Sequence, residues 1–210
     1  MNIVVALFPL VALIAMGYVL KYTQFVQDEF WTNSEKLNYY VLFPVLLFLN
    51  VSAVQLDMNT VSRMLTVLVA GTCLISIMLW GGKQFMHIPV QRFGVYIQSH
   101  IRFNTYIGLS LISALFGSTG MQMFAMLIAV AVPLVNIISV LAFSNLSLKQ
   151  LGQTCQSIAK NPLILGCVAG VLFNLSGLSL FHGLPELLKI LATMSLPLGL
   201  LSVGAALQFQ

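Results

Sequence analysis

The sequence predicts an all-α membrane protein with seven transmembrane helices, and three observations carry that prediction. Hydrophobic residues make up 59% of the chain and charged residues 7%, with a mean hydropathy of +0.98. So little polar surface cannot cover a water-soluble globule. The apolar runs last about 18 to 23 residues, which suits helices crossing a bilayer and not the roughly ten-residue alternating strands of a barrel. The charged residues fall almost entirely between those runs.

Taken in order, the runs place spans near 3–20, 37–55, 64–82, 98–117, 121–143, 161–180 and 190–207. The first is read as a retained span. Nothing basic precedes Ile3, and Lys21-Tyr22-Thr23-Gln24 stands where small residues would mark a cleavage site. With the N-terminus outside, the cytoplasmic connections hold Lys21, Lys36, Lys83, Arg92, Lys149 and Lys160, and the outer ones only Arg63 and Lys189. The positive-inside rule therefore orients the N-terminus out and the C-terminus into the cytoplasm, as an integral membrane protein. The connection from Ser144 to Lys160 divides the chain into a first unit of five spans (1–145), a cytoplasmic linker (146–160) and a second unit (161–210).

The second unit echoes the first. A shift of 153 positions lays Pro9 on Pro162, Gly17 on Gly170, Lys36 on Lys189, Pro44 on Pro197, Ala53 on Ala206 and Gln55 on Gln208, without a gap. A five-span repeat is odd in number, so its second copy crosses the membrane in the opposite sense. The chain ends after the second span of that copy. The expectation is a truncated carrier, or one that borrows the remaining helices from another chain, as a homo-oligomer would allow.

Function concentrates in Arg102-Phe103-Asn104-Thr105-Tyr106-Ile107-Gly108-Leu109-Ser110, which sets a permanent charge, an amide, hydroxyls and a glycine inside one apolar run. Such groups are costly at membrane depth and are usually kept for a task. A helix break at Gly108 would free backbone groups that must face protein, water or solute. Asn104, with two donors and one carbonyl acceptor, could bind a carboxylate or help hold a cation, Thr105 and Gly108 follow it closely, and the planar guanidinium of Arg102 suits a carboxylate. Each has a simpler alternative: an interhelical hydrogen bond of about 0.6–2 kcal/mol for the asparagine, snorkelling to the interface for the arginine. Asn50 and Asn136 are the other amides at depth, and Pro44, Pro133 and Pro197 are placed to kink their helices.

All five carboxylates, Asp28, Glu29, Glu35, Asp57 and Glu186, read as loop residues, leaving no intramembrane acid for ion coupling. His100 is the one titratable group near the site in a useful range. Cys73, Cys155 and Cys167 show no paired spacing, so neither a disulfide framework nor a zinc site is supported. No cofactor is implied. The net charge of +4 is dispersed without a basic run, which argues against a nucleic-acid partner. His87, His100 and His182 stand singly with no HExxH, so a membrane hydrolase lacks its residues. A seven-helix receptor is opposed by the internal repeat.

Pro44-Val45-Leu46-Leu47-Phe48, the stretch Arg102 to Leu109, Asn161-Pro162-Leu163-Ile164, and Leu196-Pro197-Leu198-Gly199 with Val203-Gly204-Ala205 form an ordered set of motifs. In that set the chain resembles the auxin efflux carrier family. The resemblance implies a ten-helix secondary carrier of two inverted five-helix repeats, expected in a bacterial inner (plasma) membrane. Its broken fourth and ninth helices would cross at a site for small organic anions such as malonate, malate or auxin-like acids. The crossover role then falls on Asn104 to Ser110. Many relatives carry proline there, where this chain has Leu109 and Ser110, so the break rests on Gly108.

Overall fold

The computed structural model describes residues 3–54, 58–86, 89–143 and 148–207, and every regular element among them is helical. The helices are α1 (Ile3–Tyr22), α2 (Asp28–Leu37), α3 (Phe43–Ser52), α4 (Met58–Met86), α5 (Val90–Ile101), α6 (Thr105–Phe143), α7 (Leu148–Ala159), α8 (Pro162–Ser176) and α9 (Leu184–Ala205). Val4–Tyr22, Asn59–Lys83, Leu184–Ala205 and the run Arg92–Ser139 are long and apolar enough to cross a membrane. Apolar side chains on the open faces of α1 and α4, such as Phe8, Val11, Leu74, Ile77 and Met78, are exposed, as lipid-facing residues are.

Helix α1 stops where Gln24 takes a left-handed conformation (φ 52°). The Phe25 N–H then donates back to the Leu20 carbonyl at 3.1 Å, closing the orphaned end. Lys21 pairs with Asp28 across the turn. Helix α2 opens with Asp28 and Glu29, whose charge suits the positive helix end. It runs without interruption through a π-helical turn (Asn38–Leu42) into α3. Pro44 explains the widened turn: it supplies no N–H to the preceding turn and its ring crowds that turn's carbonyl.

Three features mark the region of the expected spans four and five: the first falls at the boundary expected between 117 and 121, and the other two depart from the sequence reading. Gly117, with φ 65° and ψ −154°, folds α6 into a short arm (105–116) and a long arm (118–143). A side chain would strain that conformation. The break in span four lies at Arg102–Asn104 and not at Gly108. Arg102 is extended (φ −83°, ψ 138°), and the Gly108 N–H donates to the Asn104 carbonyl at 2.9 Å, inside the helix. Thirdly, the residues before the break form the amphipathic α5, which packs Phe93, Ile97 and Ile101 against Val135, Ile138 and Ala142 of the long arm. The short arm has only 12 residues, or about 18 Å of rise, well under a hydrocarbon core of about 30 Å. With α5 it forms one interrupted helix beside the long arm.

Two further connections are helical. The linker 146–160 contains α7, and Asp28, Glu29 and Glu35 lie on α2 instead of in a loop. Glu186 sits in the first turn of α9, while Asp57 lies outside the described residues, as do Gln55, His87 and Gln208. The described carboxylates are all exposed. The physical reason is common to these cases: an amphipathic helix holds too few apolar residues to register as a span, yet buries one stripe.

Helices α8 and α9 pack directly on α3 and α1. Helix α8 runs beside α3 in the same direction: a Cβ on Gly166 would lie 2.6 Å from the Pro44 carbonyl oxygen, and one on Gly170 2.9 Å from that of Phe48. Farther along, the Asn174 amide donates to the Ser52 and Val54 carbonyls at 2.7 and 3.0 Å. Helix α9 lies equally close to α1, where a Cβ on Gly17 would come within 2.1 Å of the Leu201 carbonyl oxygen. The two pairs meet at a buried reciprocal bond. The Asn38 amide donates to the Ser195 carbonyl (3.1 Å), and the Ser195 hydroxyl donates to Asn38 Oδ1 (2.8 Å). Phe43, Leu47, Leu109, Ile128 and Cys167 form the core around it.

Candidate functional site

A cavity of about 260 Å³ opens at the break between α5 and α6. Arg102, Phe103 and Thr105 form one wall, Ala131, Val132, Val135 and Asn136 of the long arm a second, Asn161 and Leu163 at the start of α8 a third, and Tyr39 closes it from the π-helical turn. Its polar groups are one guanidinium, two amides and two hydroxyls, with no carboxylate among the lining residues.

Local sequence explains how these groups meet. Asn104 ends the extended segment by capping the short arm: its Oδ1 accepts the Ile107 N–H at 3.1 Å. Asn161 does the same for α8, accepting the Leu163 N–H at 2.9 Å, with Pro162 preset for the first helical position. Two helix N-termini therefore face one cavity. Each carries the positive end of a helix dipole and orphan backbone donors. Set beside Arg102, they make the site electropositive without a metal.

Of the residues singled out from sequence, Arg102, Thr105 and Asn136 line this cavity together. Asn104 does not; it is exposed, and its oxygen is occupied as a cap. Gly108 does not either. Its missing side chain makes room for Phe124, whose ring would lie 2.8 Å from an added Cβ, so the glycine serves packing. The Asn50 amide donates to the Leu46 carbonyl of its own helix at 2.8 Å and stands apart from the cavity. Pro44 follows the widened turn, while Pro133 and Pro197 lie inside α6 and α9. His100 is exposed, its Nδ1 2.7 Å from the Tyr96 carbonyl oxygen, and it is not among the lining residues.

Sequence reasoning missed Tyr39 and Asn161 as lining residues. The asparagine was legible, because Asn-Pro before an apolar run is a helix-start signal. Tyr39 was not, since nothing local announces a π turn. No protein-family model matches the chain, and no curated protein or solved structure matches it either.

Proposed function

We propose that the chain is the membrane part of a secondary carrier for small organic anions, of the auxin efflux carrier type. In this reading it has seven spans, the N-terminus outside, and two units related by an inverted repeat. The observation that carries it is the convergence of Arg102, Thr105, Asn136 and two capped helix N-termini on one acid-free cavity at a broken span. An anion is the solute such a field favours. A mid-membrane break lined by half-helix ends is the usual construction of a carrier site.

The contacts between units support the repeat independently. The shift of 153 that aligns Gly17 with Gly170 also aligns Phe48 with Leu201. Gly17 abuts the Leu201 carbonyl, and Gly170 abuts the Phe48 carbonyl. One operation thus exchanges the α1–α9 contact with the α8–α3 contact, as a two-fold relation between units requires.

The test is equilibrium binding of malonate and of an aromatic monocarboxylate to the protein in lipid nanodiscs. Losing a charged hydrogen bond of about 1.5–3 kcal/mol should weaken either ligand at least about tenfold in Arg102→Gln. Equal affinity in wild type and variant would remove the cavity from the function. Transport of an anion out of a negative cytoplasm should also gain about 2.3 kcal/mol per charge per 100 mV, so flux should fall when the potential is clamped at zero.

A further inference from the structure

The linker helix α7 has no role in the cavity, yet its sequence is not that of a passive connection. Leu148, Leu151, Cys155 and Ile158 recur at helical spacing on one face, while Lys149, Gln150, Gln153, Gln156 and Ser157 occupy the other and Lys160 follows the last turn. Cys155 is exposed, although it belongs to the apolar stripe. A stripe of this kind buries itself in something other than water.

Charge identifies the partner. From residue 58 to residue 185 the chain holds six lysines and arginines and no aspartate or glutamate. Two of the six are Lys149 within α7 and Lys160 just after it. Two more, Lys83 and Arg92, stand at the corner of α4 and α5, where the Lys83 ammonium lies 4.7 Å from the Phe93 ring centroid and Trp80 packs edge-on against the same ring. Phe93 belongs to the cluster that reaches Ala142, at the end of α6 from which α7 departs. The amphipathic helix, Trp80 and four cations from a stretch of chain without an acid therefore share one end of the molecule.

We propose that α7 lies in the headgroup region of an anionic phospholipid leaflet, its apolar stripe among the upper acyl chains and Lys149 and Lys160 against lipid phosphates, with Lys83 and Arg92 extending the same basic rim. A neutral leaflet would satisfy the stripe and leave the cations without partners. An anionic one satisfies both, each lysine near the surface strengthening the association about fivefold. The inference needs only that the protein be membrane-embedded, and is independent of what the cavity binds.

The test uses the full chain in a Cys73→Ala background, with Cys155 carrying a polarity-sensitive fluorophore attached by a water-soluble maleimide and the buried Cys167 left in place. The protein is reconstituted in phosphatidylcholine nanodiscs with increasing phosphatidylglycerol. Emission should shift to the blue as phosphatidylglycerol rises, with the midpoint displaced about fivefold for each lysine removed in Lys149→Gln and Lys160→Gln, and restored by Lys149→Arg and Lys160→Arg. A shift already complete in pure phosphatidylcholine, a glutamine variant that titrates like wild type, or reproduction of the shift by inorganic phosphate without phosphatidylglycerol would each overturn the proposal.

Discussion

Replacing Gly17 by alanine should test the central packing directly. The added Cβ would sit 2.1 Å from the Leu201 carbonyl oxygen, where ordinary contact begins at 3.4 Å. The neighbour is backbone, so no side chain can swing away, and α1 and α9 must separate by roughly an ångström along a tight interface. Overpacking of this kind costs about 1–3 kcal/mol, and the rigid carbonyl puts Gly17→Ala at the upper end. Gly170→Ala faces a milder conflict, 2.9 Å from the Phe48 carbonyl oxygen and from the Val51 Cβ, and should fall near the lower end. Gly71 on α4 has nothing within 4 Å of an added Cβ, so Gly71→Ala should be neutral or stabilising by about 0.5–1 kcal/mol, because glycine weakens a helix interior. Thermal unfolding in one detergent ranks the three. If Gly17→Ala melts with Gly71→Ala, the helices do not approach through these glycines, and the pairing of α1 with α9 is wrong.

Two other outcomes follow from the hydrogen bonds. Asn38→Ala removes both bonds of the reciprocal pair, while Ser195→Ala removes only the hydroxyl bond and keeps the backbone carbonyl that accepts from Asn38, so a double-mutant cycle should return a coupling of about 0.6–2 kcal/mol for the hydroxyl bond; strict additivity would show that the Ser195 hydroxyl does not meet Asn38. Asn104→Ala should cost about 1 kcal/mol of cap energy and speed amide exchange in the first turn of the short arm, while Asn104→Ser keeps most of both. Unchanged exchange at Ile107 would mean that the helix does not begin at this asparagine.

Much of this architecture was legible in the sequence, and the parts that were not share a physical cause. Apolar runs announce themselves because a bilayer-crossing helix must be apolar nearly throughout, and α1, α4, α8 and α9 were found in that way. Amphipathic helices such as α2, α5 and α7 read as loops, because one buried stripe is too sparse to raise the mean hydropathy of a window. The stretch Arg102 to Ser110 was recognised as special, but the break was assigned to its glycine. Asn104 starts a helix there by capping it, and Gly108 is a glycine because Phe124 fills its space.

The sequence by itself determined the apolar solvent, the helical class, the chain positions where a charge and amides enter apolar surroundings, and the spacing of 153 at which several prolines and glycines recur. Those properties are local or periodic, and composition and spacing record them. Only the tertiary structure decided which polar residues share a cavity. It brought Asn161 and Tyr39 to Arg102, Thr105 and Asn136 across more than 120 residues of chain, and it left Asn50 bonded within its own helix. Such meetings depend on which helix faces fit together, here through glycines that let backbones touch, and that fit is a property of pairs of helices that neither sequence segment carries alone.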